Sequence, residues 1–444
     1  MMRPWGKLAS QSAIIFGGRI VGAGITFLAQ AAIARYWGAS FLGEYLILIA
    51  SSNLIAVGMP LGFQTVGTYF TAEYRAKGDG RSLRSFMVRA YGHIGIVALG
   101  LAVLCGPLVG YLGDAGQVLQ NHWIPTILLA FSAGMIFVSG AILVGLKRPY
   151  ASYFADGLFR PVAVLTAFFI CLGLGDPGKG FATMVWVVAI ACVAISFVQF
   201  GMAMAAAQHI PAASEIVPRQ LRRWWRFAIP WVLIALATDF FFDIDLLLLS
   251  GHLSRTDLAI FGVCTRLFSL VSFGVAAVYA VTVPDMFEAE ALSDRAGFNR
   301  KVGDANMVAS ALSIALFVGM AVCGPIALML FGPEFSAGAL PLAILCLGLV
   351  VRSVFGPASL VLSINDRPYA SLPSIALGMV TLFVGNLILV PPYGLMGASI
   401  AALIAITIWS LALWRTAYRT AKIDVSIFPR LRQFRAEQTA STSA

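Results

Sequence analysis

Twelve stretches of this chain are apolar for a full bilayer width. They fall at 8–34, 43–63, 90–112, 123–146, 152–174 and 181–207, then at 227–250, 258–283, 307–331, 340–362, 370–390 and 396–414. A helix crosses the hydrocarbon core with about 20 consecutive apolar residues. With 59% hydrophobic and 11% charged residues in 444, a water-soluble fold would lack the polar atoms to cover itself. The pattern predicts an all-α integral membrane protein with twelve transmembrane helices. It excludes a disordered, collagen-like or disulfide-stapled chain. The connections are short, and none could house a soluble catalytic domain.

The net charge of +10, from 30 Lys and Arg against 20 Asp and Glu, could point to nucleic acid. Its distribution points elsewhere. Twenty-three of the 30 fall at the N-terminus (Arg3, Lys7), in the even-numbered loops (Arg75, Arg148, Arg223 and Arg295 among them) or in the tail; three, Arg35, Lys179 and Arg255, fall in odd-numbered loops. This asymmetry puts both termini in the cytoplasm and leaves no nucleic-acid partner. Trp224 and Trp225 read as interface anchors. Arg3, Lys7 and the triplet Ala29-Gln30-Ala31 mimic a signal peptide. Arg19 interrupts its apolar stretch, however, and cleavage would leave eleven spans, so the first helix is read as retained.

A repeat runs through the chain. Arg148-Pro149-Tyr150-Ala151-Ser152 recurs as Arg367-Pro368-Tyr369-Ala370-Ser371, and Cys105-Gly106-Pro107 as Cys323-Gly324-Pro325. Leu42-Gly43-Glu44-Tyr45 is loosely echoed by Leu258-Ala259-Ile260-Phe261. The nearly constant offset fits a duplicated six-helix unit. An even number of spans gives both copies one orientation, so two lobes related by a pseudo-twofold axis should surround a central cavity, the parallel-repeat plan of some secondary transporters. The expected segments are an N-terminal lobe 1–207, a cytoplasmic inter-lobe loop 208–226, a C-terminal lobe 227–418 and a tail 419–444, mobile after Lys422.

Charges at membrane depth are costly and mark functional positions. Four arginines qualify: Arg19, Arg160, Arg266 and Arg352. A guanidinium donates two parallel hydrogen bonds to a phosphate and stays charged, so these are candidates to bind a diphosphate. The alternative is a structural ion pair, most directly for Arg160, with Asp156 one helical turn before it, while Arg266 could snorkel to the interface. Asp239, Asp243, Asp245 and Asp156 are candidates for coupling to a proton or sodium ion, Asp239 being the deepest and sharing a face with Asp243. Asp243 and Asp245 could instead be solvated at the interface. Gln30, Asn53, Gln64, Gln199 and Asn386 either line a cavity or join helices. Pro60, Pro107, Pro161, Pro230, Pro325 and Pro357 can kink their spans, as gates for alternating access or as the ordinary prolines of membrane helices. No metal-ligand spacing, ATPase motif or nucleophile elbow is present, so no catalytic residue, metal or cofactor is expected beyond a coupling ion.

Ala34-Arg35-Tyr36-Trp37-Gly38 with Phe41-Leu42-Gly43-Glu44-Tyr45 resembles the helix 1–2 signature of bacterial polysaccharide-biosynthesis (O-antigen and exopolysaccharide) flippases. Ala72-Glu73-Tyr74 with Lys77-Gly78-Asp79, Phe227-Ala228-Ile229-Pro230, Asp245, Leu330-Phe331-Gly332-Pro333-Glu334-Phe335 and Tyr393-Gly394-Leu395-Met396-Gly397-Ala398 are similar to later signatures of that family. The family belongs to the multidrug/oligosaccharidyl-lipid/polysaccharide exporter superfamily. The resemblance implies two six-helix lobes in a bacterial inner membrane. It also implies alternating access that carries a polyprenyl-diphosphate-linked oligosaccharide to the periplasmic leaflet. Membrane lipids, a glycan polymerase and glycosyltransferases would be its partners. A multidrug–cation antiporter of the same superfamily is the nearest rival; a membrane glycan polymerase or glycosyltransferase is a second.

Overall fold

The computed structural model describes residues 4–110, 113–211, 220–291, 294–365 and 367–432; Arg3, Arg219 and Arg435 lie outside them. The described residues form helices and turns, without strands. In order the helices are α1 (Pro4–Trp37), α2 (Ala39–Gly58), α3 (Phe63–Lys77), α4 (Gly80–Gly100), α5 (Gly106–Val109), α6 (Gly113–Asn121), α7 (Trp123–Gly145), α8 (Pro149–Phe154), α9 (Arg160–Leu172) and α10 (Pro177–Gln208). There follow α11 (Gln220–Asp239), α12 (Phe241–Leu249), α13 (Arg255–Ala291), α14 (Arg295–Met329), α15 (Ala339–Phe355), α16 (Ala358–Ile364) and α17 (Leu372–Thr420).

These helices account for the expected spans. Ten helical stretches are long and apolar enough to cross a membrane. The last of them contains two spans, because α17 turns at Gly394 (φ 53°) after Pro391 and Pro392. Its arms run antiparallel: a Cβ on Gly397 would strike the Leu389 carbonyl, one on Gly385 would touch Ala401, and one on Gly378 would touch Trp409. The span expected at 227–250 is split at Phe240 into α11 and α12. The protein is thus an all-α, multi-pass membrane protein. It packs as two compact units, Met1–Gly251 and His252–Ala444. In the first, α7 is the hub for α2, α3, α4 and α10; in the second, α15 packs on α13, α14 and α17.

The expected kinks take different forms. A proline lacks an N–H and pushes away the carbonyl four residues back. Ahead of Pro107 and Pro161 the helix widens into π-helical turns, Leu101–Cys105 and Ala155–Phe159. At Pro60 it stops: Leu61 N–H turns to the Gly58 carbonyl, and the Val57 carbonyl accepts from Gln64 Nε2 at 2.9 Å. At the start of the second π turn, Gln199 Nε2 donates to the Ala151 and Ser152 carbonyls, both at 2.9 Å. By contrast, Pro325 lies within uninterrupted α14, so its Cys-Gly-Pro match to Pro107 does not extend to local geometry.

The Arg-Pro-Tyr-Ala-Ser match does. Arg148 N–H donates to the Leu143 carbonyl and Arg367 N–H to the Leu362 carbonyl, each at 2.8 Å and five residues back. Both arginines then start a helical turn with proline in its first position. A second pair of joints is equally alike without sharing a motif. Asp79 and Asp294 each donate their N–H five residues back, to Tyr74 and Ala289, and each accepts the amide three residues on, from Ser82 and Gly297. Aspartate is the residue type that caps a helix in this way.

Two sequence expectations fail. Trp224 is not an interface anchor: it is 2% exposed, its Nε1 donates to Tyr74 Oη at 2.7 Å, and it packs edge-on against Phe63 and Phe86. Burying the indole beside a hydroxyl that satisfies its N–H is what fixes it there. Arg223 adds an ion pair to Glu73 at 2.9 Å and a bond to Tyr69 Oη. The start of α11 is thereby pinned to α3, and Gly62 (φ +87°) turns so closely under it that a Cβ would collide with the Ala228 carbonyl. Nor is the tail free after Lys422, since residues 423–427 are largely buried against the second unit.

Gly62→Ala should lower the thermal unfolding midpoint in detergent through about 1–3 kcal/mol of backbone strain. Gly58→Ala, whose Cβ would meet nothing within 4 Å, should leave it unchanged. The hydrogen bond from Arg223 holds the Glu73 carboxyl below its usual range, helped by Lys77 and opposed by burial. The ionised form therefore favours the fold above the carboxyl's unfolded pKa, and the advantage disappears as pH falls through the folded value. Glu73→Gln should accordingly destabilise at neutral pH, by no more than about 1 kcal/mol for so exposed a guanidinium. Its gap from wild type should narrow as pH falls below the ordinary carboxyl range in a pH series of melts.

Candidate functional site

The candidate residues divide between the two units. In the first, α1 brings Arg19 against the α8–α9 segment. Its guanidinium lies 4.7 Å over the Tyr153 ring, and its Cγ approaches Gly157. That approach requires glycines, since a Cβ on Gly22 would collide with the Gly157 carbonyl. The ring brings no countercharge and Arg19 is exposed, so its guanidinium is accessible to an anion. Tyr153 was not singled out in the sequence; an aromatic within the turn before an intramembrane acid–base pair is the signal that could have found it.

Arg160 is held differently. Its Nη1 is 2.6 Å from Asp156 Oδ1, with the arginine side chain 14% exposed and the aspartate 50%. The i,i+4 pair forms although the intervening turn is π-helical. An anion at Arg160 would share the guanidinium with a carboxylate already bonded to its Nη1.

The acidic cluster is arranged differently from its sequence spacing. Asp239 ends α11 and Asp243 lies in the first turn of α12, so the break at Phe240 removes the continuous helix on which the two would share a face. Their exposure also differs: Asp239 is exposed, with Thr238 Oγ1 3.2 Å from its Oδ1, whereas Asp243 is 9% and Asp245 0% exposed. Asn53 Nδ2 donates to Asp243 Oδ2 at 3.1 Å, joining α2 to α12. A buried carboxylate held by a neutral amide can take up a proton or a small cation without losing that partner.

Of the remaining amides, Gln64 and Gln199 bond to backbone carbonyls at helix breaks, and Gln30 is buried on α1. The second unit holds Arg266 on α13, half-buried, Arg352 on α15, exposed, and Asn386 on α17, buried. It also contains a polar pair absent from the sequence reading: Tyr279 Oη donates to Oδ1 of the fully buried Asn306 at 2.8 Å. An asparagine at the edge of an apolar span was the available signal. Among the described residues, no cluster of three His, Cys, Asp or Glu could hold a metal ion.

No protein-family model matches this chain, and no curated protein matches it. Solved structures do. The inward-facing conformation of a multidrug-resistance MATE-family transporter of the MOP superfamily aligns with a TM-score of 0.74 at 15% identity, over 90% of this chain and 95% of that one. The lipid II flippase MurJ, in an inward closed conformation, aligns at 0.73 and 13% identity over 91% and 87%. A MOP-superfamily transporter from Pyrococcus furiosus, described as having reversed binding-pocket polarity, aligns at 0.62 and 14% over 91% and 93%. Across nearly its whole length, the chain has the fold of MOP-superfamily transporters.

Proposed function

We propose that this protein is a flippase that moves a polyprenyl-diphosphate-linked oligosaccharide from the cytoplasmic to the periplasmic leaflet by alternating access, coupled to a cation. The reading is carried by arginine at membrane depth in a transporter fold. Arg19 sits exposed on α1 against the Tyr153 ring, and Arg352 is exposed near the end of α15. A diphosphate offers the paired acceptor oxygens that guanidinium forks bind best. The lipid II flippase among the structural neighbours supports a lipid-linked substrate, and the neighbour of reversed pocket polarity supports a change of pocket charge within one fold. The sugar would cross in water while the polyprenyl tail stays in lipid. Dispersed basic loops support termini in the cytoplasm.

A multidrug–cation antiporter is favoured by one observation, the equally good match to a MATE transporter. Cationic drugs call for carboxylates as the exposed intramembrane charges. Of the candidate acids here, Asp243 and Asp245 are buried, Asp156 is paired with Arg160, and Asp239 is exposed.

In proteoliposomes with a fluorescent polyprenyl-diphosphate oligosaccharide, Arg19→Ala and Arg352→Ala should each slow flipping by about 10- to 100-fold, the worth of a charge-assisted hydrogen bond. Lysine at either position should restore only part of the rate, because an ammonium keeps charge without the fork. Normal transport by the double alanine variant would refute the diphosphate assignment, and drug resistance conferred by the wild type would favour the antiporter. We assign coupling to Asp243, paired with Asn53. An imposed proton or sodium gradient should accelerate wild-type flipping and leave Asp243→Asn at its gradient-free rate; equal acceleration of both proteins would remove Asp243 from the coupling.

A further inference from the structure

The chain beyond α17 does not leave the second unit. After Thr420 it runs back to the break between α15 and α16 at Gly356-Pro357, and its contacts there are backbone contacts. The Val354 carbonyl, which would accept the Ala358 amide in a continuous helix, accepts Ile427 N–H at 3.0 Å, while Ala358 N–H turns to the Gly356 carbonyl. The Val425 carbonyl accepts Asn306 Nδ2 at 3.1 Å and presses on Gly356, where the positive φ (+81°) leaves no room for a side chain. Two further bonds fasten the segment: Trp414 Nε1 to Asp424 Oδ1 at 2.7 Å, and Arg430 Nε to Asp304 Oδ1 at 2.6 Å. Val425 is fully buried.

The break lies one helical turn after Arg352, and Gly356 N–H donates to the Arg352 carbonyl at 3.1 Å. We infer that residues 422–432 are a strap that closes the break in this helix and so fixes the position of Arg352. The inference rests on the diphosphate reading for its functional half and on the backbone contacts alone for its structural half.

Val354 has a carbonyl whose helical partner is diverted, and carbonyls in a membrane protein are satisfied from within the chain. The strap supplies the missing N–H. Asn306 ties the same point to Tyr279, so α13, α14, the break and the strap meet through one buried asparagine. Detaching the strap would expose the Val354 and Val425 carbonyls together and free the last turn of α15, the turn that carries Arg352. Val425 and Ile427 are thus positioning residues; neither needs to touch the substrate.

The test uses the full chain in nanodiscs, with farnesyl diphosphate as the probe. Ile427→Pro removes the donor to Val354. Because that variant could fail to fold, Asp304→Arg and Arg430→Asp break the outer pair singly, and the double exchange restores it with reversed charges. The expected result is that the three single variants speed hydrogen exchange at the amides of residues 353–359 by about tenfold or more, the mark of local opening, with α7 unchanged. Farnesyl diphosphate affinity should fall several-fold in parallel, and the double exchange should recover both. Unchanged exchange in all three single variants would overturn the strap; faster exchange with unaltered affinity would overturn its link to Arg352. Arg352→Ala separates the two readings. If it binds farnesyl diphosphate like wild type, the diphosphate assignment fails while the exchange measurement still decides the strap.

Discussion

Inside a bilayer, a backbone N–H or C=O that finds no partner in the chain finds none in the lipid. Each such group costs several kcal/mol. Uninterrupted helices meet this requirement by themselves. This protein is not built of uninterrupted helices: it is broken at Pro60, widened before Pro107 and Pro161, split at Phe240, broken again at Gly356-Pro357 and turned at Gly394. Each interruption diverts backbone groups from their helical partners, and much of the distinctive polar structure answers to that. Gln64 takes the Val57 carbonyl, Gln199 takes two carbonyls at a π turn, and the tail's own amide takes Val354.

The same requirement sorts the buried polar residues by role. An amide bonded to backbone carbonyls is engaged in holding a break, and moving it would reopen the break. Gln199 belongs to this group, although its position in a span made it as plausible a cavity residue as any. Asn53 differs because its partner is a carboxylate, a group that can change its protonation or bind an ion while the amide remains bonded. Asn306 stands between: its carbonyl oxygen accepts from Tyr279 and its amide donates to Val425, so it couples a side-chain contact to the strap.

The membrane spans were legible because a run of about 20 apolar residues has one stable fate in lipid. The duplication was legible at Arg148 and Arg367, where five identical residues survive, and illegible at Asp79 and Asp294, where the joint is the same but a single side chain is shared. Helix capping needs only that one residue, so the rest of the joint was free to diverge. The burial of Trp224 was hidden because its partners, Phe63, Tyr74 and Phe86, are remote in sequence. The reach of the tail was hidden for another reason. Its bonds to Val354 and Asn306 are made by backbone atoms, and backbone atoms leave no trace in residue type.

The arginines differ in what already holds them, and this bears on any anion they could receive. Asp156 meets Arg160 with a full countercharge at 2.6 Å. An incoming diphosphate would meet a guanidinium whose charge is already countered and would have to share it. Arg19 meets an aromatic ring instead, a contact worth roughly 0.5–2 kcal/mol that brings no countercharge. Residues of one type are therefore unequal: Arg160 already has a countercharge, and Tyr153 gives Arg19 none. The glycine contact between α1 and the π turn, Gly22 against Gly157, is what brings that ring and that guanidinium together. The break forced by Pro161 thus positions the charge that the proposed transport requires.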